Sequence, residues 1–329
     1  LNSWVSRIFS PLSKRCLLIL LLAILAGCSG RQIAFPEPPA TQLGAVPFYP
    51  QEAYQCGPAA LATVLGWSGS EVDLAALVAS VYLPGRQGSL QPEIVAAARR
   101  AGRIPYPIPA DPASIGAELA AGHPVLVLQN LGLASSPRWH YAVVVGYDPV
   151  DGNFILRSGT ERSRREDVQR FMSSWQRADY WGLVVLPPGQ LPASQHVVAP
   201  LVRALADAEA FLSVQDALAT WERLLAQWPD DPEVLFGSAN ARRRGADPAS
   251  AASLFRQLLR HDPGHVAARN NFADLLLSQG CVQRAGQVMA GIDDGAVPDY
   301  LAGAITDTRR SLREEARHHR SDADRCADW

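Results

Sequence analysis

A cysteine placed where a helix is about to begin is the strongest chemical signal in this chain. Cys56 stands in the run Gln51-Glu52-Ala53-Tyr54-Gln55-Cys56-Gly57-Pro58-Ala59-Ala60-Leu61. Pro58 favours a first helical turn, and the apolar stretch from Ala59 to Leu65 continues it. Unpaired backbone N–H groups and the positive end of the helix dipole favour thiolate over thiol at such a position, so the sequence predicts a lowered pKa and a nucleophile. Gly57 lacks a Cβ, which predicts that a substrate can approach the backbone there. The amide of Gln51, just upstream, is a suitable donor to a developing oxyanion.

A nucleophilic cysteine needs a base, and the chain offers seven histidines. His140 precedes Tyr141-Ala142-Val143-Val144-Val145-Gly146-Tyr147, a β-branched and aromatic run that reads as a buried strand with the imidazole at its end. The turn signal Asp148-Pro149-Val150-Asp151-Gly152 and a second strand from Asn153 to Arg157 complete a hairpin. Cysteine at a helix N-terminus with histidine at the mouth of a sheet is the papain-type pairing of nucleophile and base. Asp148 lies eight residues along the strand from His140, roughly 25 Å away, and cannot orient the ring. Folding the hairpin brings Ser158-Gly159-Thr160-Glu161 beside His140, which makes Ser158 the first choice of orienting group and Glu161 the second.

These residues resemble the papain-like cysteine peptidases of the bacteriocin-processing, double-glycine-cleaving type and their stand-alone relatives. The resemblance runs from about Val46 to about Leu186. It includes Gly85-Arg86-Gln87-Gly88-Ser89-Leu90 as the Gly-Thr/Ser loop, Gly122-His123-Pro124-Val125-Leu126-Val127-Leu128 as the central strand, and His140-Tyr141-Ala142-Val143-Val144 as the histidine strand. Carried over by position, it implies Cys56 as nucleophile, His140 as base and Gln51 as oxyanion donor. Two departures stand out. Where the family has Asp-Pro after the second hairpin strand, this chain has Arg157-Ser158-Gly159, and the spacing from Gln51 to Cys56 is one residue shorter than in transporter-linked members. A serine hydroxyl orients a neutral imidazole but does not stabilise an imidazolium as a carboxylate does.

The N-terminus indicates a cellular address. Arg7, Lys14 and Arg15 precede an apolar core from Cys16 to Ala26, and Leu25-Ala26-Gly27-Cys28 resembles the lipobox of bacterial lipoproteins. That resemblance implies a signal peptide over residues 1–27, lipidation of Cys28 and anchoring in a membrane. Ser29 in place of an inner-membrane retention Asp points to the outer membrane, on the periplasmic face. Residues 28–45, with Pro36, Pro38 and Pro39, read as a tether too proline-rich to pack.

The second half repeats itself. Ala217, Ala251 and Ala285 are 34 residues apart, as are Trp221, Phe255 and Met289, and Pro229 precedes Pro263 by the same interval. A small residue, a large apolar one four positions on and a terminating proline look like the tetratricopeptide repeat, whose helix hairpins bury their faces by stacking. Ala239 and Ala273 mark the first helices of two clear copies, a degenerate third follows Cys281, and a capping helix is expected around Pro200 to Leu212. Such arrays usually bind a protein partner.

Composition narrows the remaining classes. A hydrophobic content of 48% in 329 residues supports two cores. A formal charge of −2 with no basic stripe argues against nucleic acid. Arg157, Arg162, Arg164 and Arg165, interleaved with Glu161, Glu166 and Asp167, read as a solvated loop. Cys281 and Cys326 can pair in an oxidising compartment. His318, His319 and Asp322 read as a solvated tail rather than a metal site, and neither metal nor other cofactor is expected. With no phosphate-binding Gly-x-x-x-x-Gly-Lys-Ser/Thr loop, the chain should need no ATP.

The reading is therefore a lipid-anchored envelope protein. It has an α+β papain-like cysteine peptidase domain over 46–187, a linker over 188–198 and an all-α tetratricopeptide-like helical repeat domain over 199–329, acting on a peptide or protein substrate. The alternatives are a cell-wall amidase or transpeptidase with the same thiol chemistry, and a catalytically silent scaffold for an envelope assembly.

Overall fold

The computed structural model describes residues 41–51, 55–318 and 326. The signal peptide, Cys28, most of the tether, His319 and Asp322 lie outside the described residues. In chain order the first part comprises β1 (Thr41–Gln42), α1 (Cys56–Trp67), α2 (Leu74–Val81), α3 (Gln91–Arg100), β2 (Ile104–Pro107), α4 (Pro112–Ala120) and β3 (Val125–Asn130). It continues through β4 (Trp139–Asp148), β5 (Asn153–Ser158), β6 (Glu161–Asp167), α5 (Val168–Gln176) and β7 (Gly182–Leu186).

The strands form one antiparallel sheet in the order β2-β7-β3-β4-β5-β6, with β1 paired to β4. Strand β3 is buried along its whole length, as its unbroken apolar start requires. Helix α1 is apolar nearly all round and buried from Gly57 to Leu65. It packs Ala60, Leu61, Val64 and Leu65 against Leu126, Tyr141, Val143 and Val145 of the sheet. Each buried Leu or Val side chain here contributes roughly 1.5–3 kcal/mol, so the element carrying Cys56 is tied to the strand carrying His140. Near the far end of β4 the pairing bulges between Val144 and Gly146, and a Cβ on Gly146 would stand 2.4 Å from the Thr41 carbonyl oxygen. Only glycine lets β1 approach so closely.

The arginine-rich segment is a strand, not a solvated loop. Residues Glu161–Asp167 pair with β5 at the edge of the sheet and bury Glu166. Charges along an edge keep it from pairing with other chains. Arg157 is buried, and its guanidinium donates to the Val46 carbonyl at 3.0 and 3.3 Å and to the Arg162 carbonyl at 2.5 Å. Arg165 bridges Asp148 at 2.6 Å and Asp151 at 3.1 Å across the hairpin turn.

The segment between the two parts is held in place. Ser194 N–H donates to the buried Glu118 carboxylate at 2.7 Å, and Gly189 N–H donates to Thr220 Oγ1 at 2.8 Å. Beyond it run α6 (Val198–Ala208) with a short 3-10 turn, Glu209–Phe211, then α7 (Val214–Gln227), α8 (Pro232–Arg244), α9 (Pro248–His261), α10 (Val266–Ser278), α11 (Val282–Ala290) and α12 (Asp299–His318). Asp231 and Asp247 cap α8 and α9, each of which begins with proline, accepting from backbone N–H groups. The 34-residue spacing is the packing period: Ala217, Ala251 and Ala285 are buried, as are Trp221, Phe255 and Met289. Cys281 and Cys326 are disulfide-bonded, with Cα atoms 5.6 Å apart, and both are buried in the core of the last repeats.

Candidate active site

Cys56 is the first residue of α1, and His140 is the second residue of β4. Gln51, Cys56 and His140 line one cleft of about 680 Å³, whose other walls include Arg86 to Gln91, Leu128 and Pro137 to Trp139. Gln51 is positioned by its backbone, whose N–H donates to the Gly159 carbonyl at 3.2 Å in the β5–β6 turn. Beside it a pocket of about 10 Å³, at the lower limit for one water, is lined by Gln51, Cys56, Tyr141, Arg157 and Ser158 among others.

Ser158 Oγ and His140 Nε2 are 2.8 Å apart. Glu161, the second choice for this contact, is exposed on the next strand. The buried Glu166 carboxylate is engaged by Gln129 Nε2 at 3.4 and 3.5 Å, and Gln129 also donates to Ser174 Oγ at 2.8 Å. Nε2 is thus held by the serine, and Nδ1 is the ring nitrogen without a hydrogen bond among the described residues. Among the described residues no hydrogen bond joins the Cys56 sulfur to the ring.

The resting charges differ from the sequence expectation. Burial pushes the Cys56 thiol above its ordinary value, outweighing the backbone N–H groups of Tyr141, Gly57 and Cys56 that pull it down. The helix terminus acts as expected on the sulfur, but desolvation of a thiolate under the sheet is the larger effect. Burial, then the charges of Arg164 and Arg138, pushes His140 down to about 4. Both partners rest neutral, as thiol and imidazole.

Gly57 has a different use from the one its sequence context suggests. A Cβ there would meet Ser89 Oγ at 2.5 Å and Ser89 Cβ at 2.6 Å, so the space is filled by Ser89 rather than left for a substrate. Ser89 lies on the loop before α3, and its carbonyl accepts from Tyr141 Oη at 3.3 Å. That contact ties three elements around the sulfur. Sequence reasoning missed the packing role of Ser89 and the 55% exposed Trp139 as cleft wall. The adjacency of Trp139 to His140 was the available signal. Among the described residues no cluster of three His, Cys, Asp or Glu side chains gathers to hold a metal.

Two protein-family models agree with this architecture. The model of the Peptidase_C39 like family matches residues 44–182, and a tetratricopeptide repeat model matches residues 245–302. No curated protein matches the chain. Among solved structures, a C39-like peptidase from Bacillus anthracis aligns at 15% identity, covering 45% of this chain and 97% of its own, with a TM-score of 0.38. The peptidase domain of Streptococcus ComA, a bi-functional ABC transporter, aligns at 24% identity over 43% of this chain and 98% of its own, with a TM-score of 0.35. A double glycine motif protease from an AMS/PCAT transporter, in complex with the leader peptide, aligns at 19% identity over 44% and 92%, with a TM-score of 0.33. The chain joins a C39-like peptidase domain to tetratricopeptide repeats at its C-terminal side.

Proposed function

We propose that this protein is a cysteine peptidase of the bacterial envelope, with Cys56 as nucleophile and His140 as general base. The observation that carries the reading is the shared cleft: Cys56, His140 and Gln51 line it together, with Ser158 at hydrogen-bond distance from His140 Nε2. An imidazole with a pKa of about 4 is a neutral proton acceptor throughout the physiological range. The proton therefore leaves Cys56 as the sulfur attacks, rather than from a preformed ion pair. Catalytic hydrogen bonds commonly tighten only with substrate bound, and the ring closes on the thiol at that stage. The thiolate adds to the peptide carbonyl, Gln51 and the Cys56 N–H hold the oxyanion, and His140 passes its proton to the leaving amine. Water, deprotonated by the same ring, then hydrolyses the thioester and releases the acid and the thiol.

The address and the partner belong to the same proposal. The lipobox supports lipidation at Cys28 and attachment to the outer membrane facing the periplasm, and the Cys281–Cys326 bond fits an oxidising compartment. The repeats would bind a protein partner. One observation favours a silent scaffold instead: Ser158 supplies no countercharge to an imidazolium. Capture of full-length protein by a peptidyl acyloxymethyl ketone decides between the two. The peptidase reading expects adduct on Cys56 and its loss in both Cys56→Ser and His140→Ala. Equal capture in His140→Ala would remove the base from the mechanism. Loss of labelled palmitate incorporation in Cys28→Ala tests the anchor.

A further inference from the structure

Among the described residues that line the cleft around Cys56, the charges are of one sign. Arg86 reaches it from the turn Pro84–Arg86, and Arg138 from the residue before β4, so the two cations come from separate loops. Both are exposed, and among the described residues neither side chain is in an ion pair or hydrogen bond. No Asp or Glu is among the described lining residues. Trp139 lies between Arg138 and His140 in sequence, with 55% of its surface exposed. Half-buried Arg164 adds to the same field, since it and Arg138 both act electrostatically on His140. General basicity does not explain this, because the chain carries a net charge of −2. A concave surface lined by unpaired cations focuses a positive potential and concentrates anionic ligands, while an exposed indole offers an apolar face.

We propose that the peptides accepted by this cleft are acidic, with Asp or Glu side chains flanking the scissile bond seated on Arg86 and Arg138 and an apolar side chain lying against Trp139. The proposal rests on the peptidase reading and names its substrate class. It also addresses the missing carboxylate: a substrate carboxylate beside Arg138 offsets the positive field at His140 as the ring takes its proton. The acidic substrate then supplies the countercharge that Ser158 does not.

The test separates binding from hydrolysis. Full-length Cys56→Ala protein, which cannot turn over, is titrated against fluorescein-labelled octapeptides of alternating Gly and Glu, Gly and Gln, or Gly and Lys. Two partly exposed arginine–carboxylate contacts are expected to make the Glu peptide bind roughly tenfold tighter than the Gln peptide, with the advantage fading as salt rises. Adding Arg86→Glu and Arg138→Glu should reverse the order toward Lys, and Arg86→Gln with Arg138→Gln should abolish it. In parallel, wild type cutting a proteome-derived peptide library should show Asp or Glu enriched within a few residues of the cleaved bonds. Equal binding of Glu and Gln peptides, or a preference unmoved by the arginine changes, overturns the proposal even if cleavage occurs. Failed capture at Cys56 with acidic binding intact would sink hydrolysis but leave the recognition standing. Tight binding of anionic phospholipid vesicles that the Glu peptide cannot displace would reassign the cleft to a membrane surface and also overturn it.

Discussion

Replacing Ser158 with aspartate installs the carboxylate that the hairpin lacks. The hydroxyl it replaces lies 2.8 Å from His140 Nε2, and the ring now titrates at about 4 because burial and two arginines disfavour its charge. With charge centres about 4 Å apart and an effective dielectric near 20, a carboxylate there stabilises the imidazolium by about 4 kcal/mol. Halving this for water in the open cleft leaves about 2 kcal/mol, or about 1.5 pKa units. His140 in Ser158→Asp should therefore titrate at about 5.5, and the thiolate–imidazolium pair gains the same energy over the neutral pair. Reaction of Cys56 with iodoacetamide at neutral pH should rise about thirtyfold, this being about 2 kcal/mol at 1.36 kcal/mol per decade. Proton NMR titration of the His140 ring and pseudo-first-order alkylation rates measure the two quantities. Ser158→Asn, of similar size but uncharged, is the comparison. Equal ring pKa and equal alkylation in the Asp and Asn variants would refute the electrostatic account and leave Ser158 only an orienting role.

Three further outcomes follow from the packing and titration around the cleft. Gly57→Ala should destabilise the protein by about 1–3 kcal/mol through overpacking, and Ser89→Gly should restore most of that loss, since the added Cβ meets Ser89 at 2.5 and 2.6 Å; urea unfolding of the double-mutant cycle reads the coupling. His140 has an ordinary value of 6.5 and a folded value of about 4, so protons bind the unfolded chain first: stability is full above pH 6.5 and falls as pH drops toward 4, by at most about 3 kcal/mol. His140→Gln should flatten that window in chemical denaturation; an unchanged slope would mean the ring is not buried neutral. Cys281→Ser should cost about 2–4 kcal/mol, because the bond closes a loop between residues 45 apart, and a reductant should lower the wild-type midpoint alone.

What could be read from sequence was governed by local order. Cys56 begins a helix, His140 begins a strand, and hairpin arithmetic set Ser158 within reach of the ring, so each position followed from its immediate neighbours. The repeat was legible by subtraction because each 34-residue unit solves the same packing problem. Misreadings arose where a distant partner decides. Gly57 is dictated by Ser89, 32 residues on, and Arg157 is buried because the Val46 carbonyl, 111 positions away, accepts from it. The thiol pKa went the other way because the sheet over Cys56 desolvates it, an effect larger than that of its own helix terminus. Strand β6 carries almost no apolar residue to reveal its alternation, since an edge strand needs to bury little on its outer side.

The serine and the arginines are two aspects of one electrostatic problem, and that makes their effects coupled. If an acidic peptide brings the countercharge to His140, then a carboxylate built into the protein at position 158 makes the peptide's own charge partly redundant. The advantage of a Glu peptide over its Gln counterpart has one part from binding on Arg86 and Arg138 and another from easing proton transfer. Only the second should shrink in Ser158→Asp. The ratio of kcat values for Glu and Gln peptides is therefore expected to fall toward one in that variant, while the binding ratio measured in the Cys56→Ala background persists. Undiminished selectivity in kcat would show that the substrate carboxylate acts at a distance from the ring, and that proton transfer in this cleft proceeds without a countercharge.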